Sequence, residues 1–297
     1  KIEIISIPRD TYADAGYDDT TGLNKLTIVR ANKGRTAYFQ ELARIAALDR
    51  IHYFIEVGFS QVIGILDLLG YKDSHSTLQV LRSRTGLGGD DYQRVYNQGQ
   101  FIRQLILRHF DKFKGIFSDI LITGGLAIVE SNLTHSDSKN LISKLESKNF
   151  PKSPDDIIIK VRPPIPIKYK VYDFSDEKVI EDLKRKIERF NERSLDDTNS
   201  SFKKTNVNAS TRLWSALKNA AKDTLKNPAR AITTLQTYFD QRAWHQVKNT
   251  DERYQIREHF GKILSTAYYK KKNIQKAEQV NYIIEQEKKL FDSKIFN

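Results

Sequence analysis

The chain of 297 residues contains no cysteine. That excludes disulfides, thiol nucleophiles and cysteine-ligated metal sites together, and it suits an oxidising compartment. Methionine is absent too, so residue 1 is not an initiator, and the chain opens directly on the apolar run KIEIISI. The expectation is a trimmed part of a longer protein with a signal or anchor helix upstream. No run of about 18 apolar residues occurs, so this part reads as lacking a membrane span. There is no G-x-x-x-x-G-K-[ST] loop for a nucleotide, and the six histidines show neither H-E-x-x-H nor any other ligand spacing. No G-x-S-x-G elbow marks a serine nucleophile.

Charge is present in excess, but unevenly. The net charge is +12. Residues 1–150 carry 19 Lys+Arg against 17 Asp+Glu, residues 151–207 carry 13 against 11, and residues 208–297 carry 17 against 9. The basic surplus therefore sits at the C-terminal end. It reads as a solvated helical surface, and the basic-aromatic run AYYKKKNIQK as part of it, with no nucleic acid expected as a partner.

Hydrophobic periodicity divides the chain into an α/β part and a helical part. IEIISIP reads as a strand stopped by Pro8, which has no N–H for a ladder. Arg9 and Asp10 fall just beyond its end, where open α/β sheets gather ligands. Residues 11–24 read as a polar loop and TAYFQELARIAALD as an amphipathic helix. HYFIEVGFSQVIGILDLLG reads as a buried strand followed by a short helix ending at Gly70. STLQVLRSR is strand-like, with Leu78, Val80, Arg82 and Arg84 on one face. GLGGDD is a turn with a short glycine run. A helical period follows from about Tyr92 to Phe117 and places Arg94 and Gln98 on one face. DDIIIKVRPPIPIKYKVYDF supplies strand material broken by prolines, and DEKVIEDLKRKIERF another helix. The expected fold class is α/β, a central mixed or parallel sheet flanked by helices over residues 1–190. A polar linker covers 191–208, and an all-α module of helical hairpins covers 209–297. Helices are expected near 210–226, 228–247, 250–271 and 274–292, with LSTAYYKKKNIQKAEQVNYIIEQE resembling one tetratricopeptide repeat.

The polar groups aimed at strand ends form one candidate site: Arg9 and Asp10, Arg82 and Arg84, then Asp91, Arg94 and Gln98 at the start of a helix. Guanidinium forks match phosphate oxygens two at a time, and a helix N-terminus is itself an anion site. A multiply charged anion such as a pyrophosphate offsets the repulsion within such a group. The alternative is that the arginines only pair with Asp10, Asp90 and Asp91.

These residues also carry a family resemblance. IISIPRDTY followed by LRSRTGLGGDDYQRVYNQGQFI resembles the LytR–CpsA–Psr family of cell-wall phosphotransferases, with its S-[IV]-P-R-D strand end, later R-x-R, and acidic-aromatic-x-R turn leading to a glutamine. NKLTIVRANKG, the Asp67 and Gly70 turn, and VESNLT are similar to further family elements, so the resemblance covers about residues 1–175. The chain departs from the pattern at Thr27, at Lys33-Gly34 and at Asn97-Gln98. The resemblance implies transfer of a glycopolymer from a polyprenyl pyrophosphate lipid to peptidoglycan, on the outer side of a cytoplasmic membrane, by a membrane-anchored protein. It implies that Arg9, Arg82, Arg84 and Arg94 bind the pyrophosphate and that Gln98 binds an oxygen or orients an arginine. Asp91, together with Arg9 and Asp10, is implied in catalysis, Asp91 either orienting arginines or taking a proton from the incoming hydroxyl. Mg²⁺ is implied as cofactor, with ligands upstream of residue 1. An apolar slot for the lipid tail is expected from residues 51–69 and 101–113. The second reading is a non-catalytic envelope scaffold that binds polyprenyl phosphate lipid through the first part and a protein partner through residues 209–297.

Overall fold

The computed structural model describes residues 1–87, 90–115, 117–196 and 208–292. It is mostly helical, at 65%. In chain order come β1 (Ile2–Ser6), α1 (Leu26–Asn32), α2 (Gly34–Ala46), β2 (Ile55–Glu56), α3 (Phe59–Leu68), α4 (Ser74–Arg82) and α5 (Asp91–His109). Then come α6 (Ser118–Ile128), β3 (Glu130–Ser131), α7 (His135–Glu146), β4 (Ile157–Val161), α8 (Glu177–Asp196), α9 (Ala209–Asp223), α10 (Pro228–Asp240), α11 (Thr250–Lys270) and α12 (Ile274–Asp292). No helix among the described residues is long and apolar enough to cross a membrane.

The chain forms two compact units, each assembled from three segments. The first comprises Lys1–Phe54, Gln79–Lys114 and Lys139–Asn199; the second comprises Ile55–Leu78, Gly115–Ser138 and Ser200–Asn297. This division differs from the sequential one expected from composition, because residues 55–78 and 115–138 group with the C-terminal helices. Of the expected linker 191–208, residues 197–207 lie outside the described residues, as do Gly88 and Gly89 of the expected glycine turn.

In the first unit β1 and β4 pair in parallel, from Ile2 opposite Ile157 to Ser6 opposite Val161. Their isoleucines meet Ile106, Phe110 and Phe150 in one core, where Phe110 and Phe150 pack edge to face at 5.3 Å. α5 lies close against this pair. A Cβ on Gly99 would stand 2.7 Å from Ser6 Oγ and 3.1 Å from Ile159 Cγ2. The polar loop between β1 and α1 is held by the buried side chain of Asn24. Its Oδ1 accepts from Ala15 N at 3.0 Å, and its Nδ2 donates to Tyr17 O at 2.9 Å.

The second unit buries Trp244, Phe239, Phe260, Leu213 and Leu264 among α9–α12. α6 packs along α12, and α3 packs against the turn Ala243–Gln246. Gln61 of α3 donates to Ile128 O at 2.5 Å, fixing α3 to the end of α6. Glu287, fully buried, accepts from Trp244 Nε1 at 2.6 Å and stands 2.9 Å from His245 Nε2.

Several expectations are corrected. The sheet is a two-stranded parallel pair plus the antiparallel two-residue contact of β2 with β3, so the flanked central sheet expected of an α/β class is not formed among the described residues. STLQVLRSR is helical through Arg82. Asp73 caps it by accepting from Ser76 N at 2.9 Å, and the alternation of Leu78 with Val80 was helical burial that happens to share a parity. The buried strand expected over HYFIEV shrinks to β2, whose Ile55 is 55% exposed. With no long neighbouring strand, its backbone has no ladder to join. Among the described residues, four helices form in the C-terminal part near the expected positions, with Pro228 in the first turn of α10 and Asn273 in the turn before α12, where its N–H bonds Tyr268 O at 3.0 Å. The second expected helix, 228–247, is shorter, since α10 ends at Asp240 and a separate turn Ala243–Gln246 follows.

Candidate functional site

β1 ends at Ser6, and the chain turns over the buried Pro8, with Thr11 N donating to Pro8 O at 3.1 Å. Arg9 and Asp10 sit on this turn. Their backbone is tied to the start of α1, since Thr27 N bonds Arg9 O at 3.0 Å and Leu26 N bonds Thr11 O at 2.9 Å. α5 begins with Asp90 as its N-cap, accepting from Tyr92 N at 2.9 Å. That cap sets Asp91 in the first turn and Arg94 one turn later on the same face.

These two segments and the residues following α4 bring Arg9, Asp10, Arg84, Asp91 and Arg94 into one ion-pair cluster. Arg94 Nε lies 2.8 Å from Asp91 Oδ1, and Arg84 Nε lies 3.0 Å from the same oxygen. Arg84 Nη2 reaches Asp10 Oδ2 at 3.3 Å, and Arg9 Nε lies 3.8 Å from that oxygen. Arg84 thus bridges the two carboxylates. The cluster runs from an exposed rim to a sheltered floor: the Arg9 side chain is 61% exposed, that of Arg94 13% and that of Asp91 19%. Three guanidiniums face two carboxylates, so internal pairing leaves a surplus positive charge. The pairing alternative raised by the sequence is therefore real for Asp10 and Asp91, but incomplete.

Burial pushes the Asp91 carboxyl up, but Arg94, then Arg84 and Arg9, outweigh it and hold the group below the ordinary carboxylate range. Its second oxygen, Oδ2, is buried without a hydrogen-bond partner. An acceptor in that state has capacity for one more donor.

The other two expected residues stand differently. Arg82 is exposed in the last turn of α4, two residues before Arg84. Gln98 donates from Nε2 to Leu81 O at 3.0 Å, tying α5 to the end of α4. The apolar runs expected to line a lipid slot belong to different units, 55–69 to the second and 101–113 to the first. Asp67, placed in a family-like turn, accepts from Ser74 Oγ and pairs with Arg253 Nη1 at 2.6 Å.

Sequence reasoning passed over a stripe of amides on α5. Gln93, Asn97, Gln100 and Gln104 recur at helical spacing, and the first three are buried. Gln93 accepts from Lys170 N and donates to Lys170 O, both at 2.9 Å, while Gln104 bonds Tyr172 O at 2.9 Å and Phe174 N at 3.0 Å. Two glutamines therefore strap residues 170–174 to the helix as a neighbouring strand would. The signal was available: uncharged amides recurring at a helical period along α5.

Among the described residues no three histidine or acidic side chains gather as metal ligands. Asp10 and Asp91 are already engaged by arginines, so the residues here do not fit a Mg²⁺ site of their own. No family model matches the chain, and no curated protein or solved structure matches it significantly.

Proposed function

We propose that the protein is an extracytoplasmic transferase of the LytR–CpsA–Psr type, which moves a glycopolymer from a polyprenyl pyrophosphate carrier to peptidoglycan. The observation that carries this reading is the surplus of guanidinium over carboxylate around Asp91, at a helix N-terminus beside a strand end. The surplus charge and the free faces of Arg9 and Arg84 suit the oxygens of a pyrophosphate. In the reaction an acceptor hydroxyl oxygen bonds the phosphorus next to the glycan. The bond from that phosphorus to the bridging oxygen breaks, and polyprenyl phosphate departs. Phosphoryl transfer of this kind depends mainly on position and on neutralising charge over the phosphate oxygens. Arg84 and Arg94 neutralise, held in place by Asp91. Asp91, whose basicity the arginines lower and whose Oδ2 is closed to solvent, acts through these arginines by orienting them, and the proton of the incoming hydroxyl leaves to water.

The test is direct binding of a polyprenyl pyrophosphate, followed by a transfer assay. Arg84→Ala and Arg94→Ala are each expected to weaken binding by about 1.5–3 kcal/mol, the worth of a charge-assisted hydrogen bond. Affinity equal to wild type in both variants would remove the assignment. Binding without transfer would assign the scaffold reading in its place.

A further inference from the structure

The second unit holds a concave site remote in chemistry from the arginines. α6, α10, α11 and α12 contribute to a cleft of about 700 Å³, within the size range of small-molecule sites. Its polar wall is a relay. Tyr268 donates from its hydroxyl to Gln236 Oε1 at 2.6 Å, and Gln236 Nε2 donates to Asp240 Oδ1 at 2.6 Å. Each member keeps a further capacity: a lone pair on the tyrosine oxygen, the second amide hydrogen and the second carboxylate oxygen. Gln279 takes a hydrogen bond from Lys276 Nζ at 3.1 Å on its Oε1, which leaves its NH₂ group to the cleft.

The lining carries the acids Glu130 and Asp240 and the bases Arg242 and Lys276, and Arg242 Nε also lies 3.8 Å from Oε2 of the buried Glu287. Arg242, 5% exposed, gives Nη1 to Phe239 O at 2.6 Å and Nη2 to Ala127 O at 2.8 Å. With both signs interspersed, the cleft presents no strong single-sign field. It offers donors and acceptors side by side, with the ring of Tyr282, 51% exposed, and the apolar Val280 and Ile283 among them. A sugar hydroxyl donates and accepts through one atom, which suits mixed amide, phenol and carboxylate partners. The C–H face of a pyranose packs on an aromatic ring. Peptide side chains would instead call for deep apolar pockets or a net charge.

We infer that this cleft binds a neutral oligosaccharide, with Gln236, Asp240 and Gln279 on its hydroxyls and Tyr282 against a ring face. The inference is independent of the pyrophosphate reading, since no residue is shared. It is tested by titrating the full chain with chitotetraose and with maltotetraose, followed by calorimetry and by the side-chain amide resonances of Gln236 and Gln279. At least one saccharide is expected to bind and to move those resonances. Tyr282→Ala is expected to weaken it about tenfold, the loss of one good contact, with an unchanged melting temperature because the side chain is exposed. Gln279→Ala should weaken it likewise and gives a second variant that spares the core. Absence of binding by both sugars at about 10 mM, the weak end of useful affinity, overturns the inference. So does wild-type affinity in both variants, or a cleft that takes an uncharged peptide and no sugar. Loss of lipid binding in Arg84→Ala leaves these titrations untouched, so the two proposals fail separately.

Discussion

At Asp91 and at His109 burial acts on two side chains of the first unit with different results. Asp91 meets three arginines, and its folded pKa lies below the ordinary 3.8. A depressed carboxylate contributes stability that is complete above the unfolded value and is lost only as pH falls below it. His109 is 8% exposed, and its pKa falls from 6.5 to about 4 because burial first, then Lys112 and Arg108, disfavour the cation. Between those values the unfolded chain binds the proton and the folded one does not. Stability is therefore expected to fall as pH drops from 6.5 to 4, by up to roughly 3 kcal/mol. Urea unfolding across this range should give a steeper pH slope for the wild type than for His109→Gln. Equal slopes would mean that His109 titrates normally. Asp91→Asn should match the wild-type slope above pH 4, since its linkage lies lower.

Elements are placed by close approaches that no propensity scale describes. Gly99 lets α5 lie directly on β1 and β4, and a methyl group there would meet Ser6 Oγ at 2.7 Å. Alanine would gain about 1 kcal/mol of helix propensity, against about 1–3 kcal/mol of overpacking. Gly99→Ala is expected to lower the melting temperature and to shift β1, whose end carries Arg9 and Asp10. A loss of pyrophosphate affinity without any contact to the ligand would follow. An unchanged melting temperature would show that the strand gives way at no cost. The amide stripe of α5 belongs to the same scale: Gln93 and Gln104 satisfy the backbone of residues 170–174, which belong to no strand.

At the scale of the whole molecule, chain order and spatial order part company. α3 and α6 are apolar helices, with Ile63, Leu66, Leu121, Ile122 and Ile128 buried, and α12 together with the turn Ala243–Gln246 covers them. A chain ended at Asp196 would leave those faces bare. It is expected to bind a hydrophobic dye and to aggregate. A monomeric, cooperatively melting truncation would contradict the division into two interleaved units.

The local signals of the chain were enough for the strand end at Pro8, the helix beginning near Tyr92 and the C-terminal helices. Each depends on contacts within a few residues: a missing N–H in the first case, an apolar period of 3.6 in the others. The same locality made Arg9, Asp10, Asp91 and Arg94 legible as a group, because each lies beside an element terminus. STLQVLRSR, residues 76–84, was read as a strand because short apolar runs fit either period, and only a partner strand or its absence decides between them. The sequence by itself determined where most helices form and which charges stand at their ends. Only the tertiary structure decided that Arg84 bridges Asp10 and Asp91, and that residues 55–78 and 115–138 complete the C-terminal unit. Pairing and burial join groups far apart in the chain, and no local pattern encodes the distance between them.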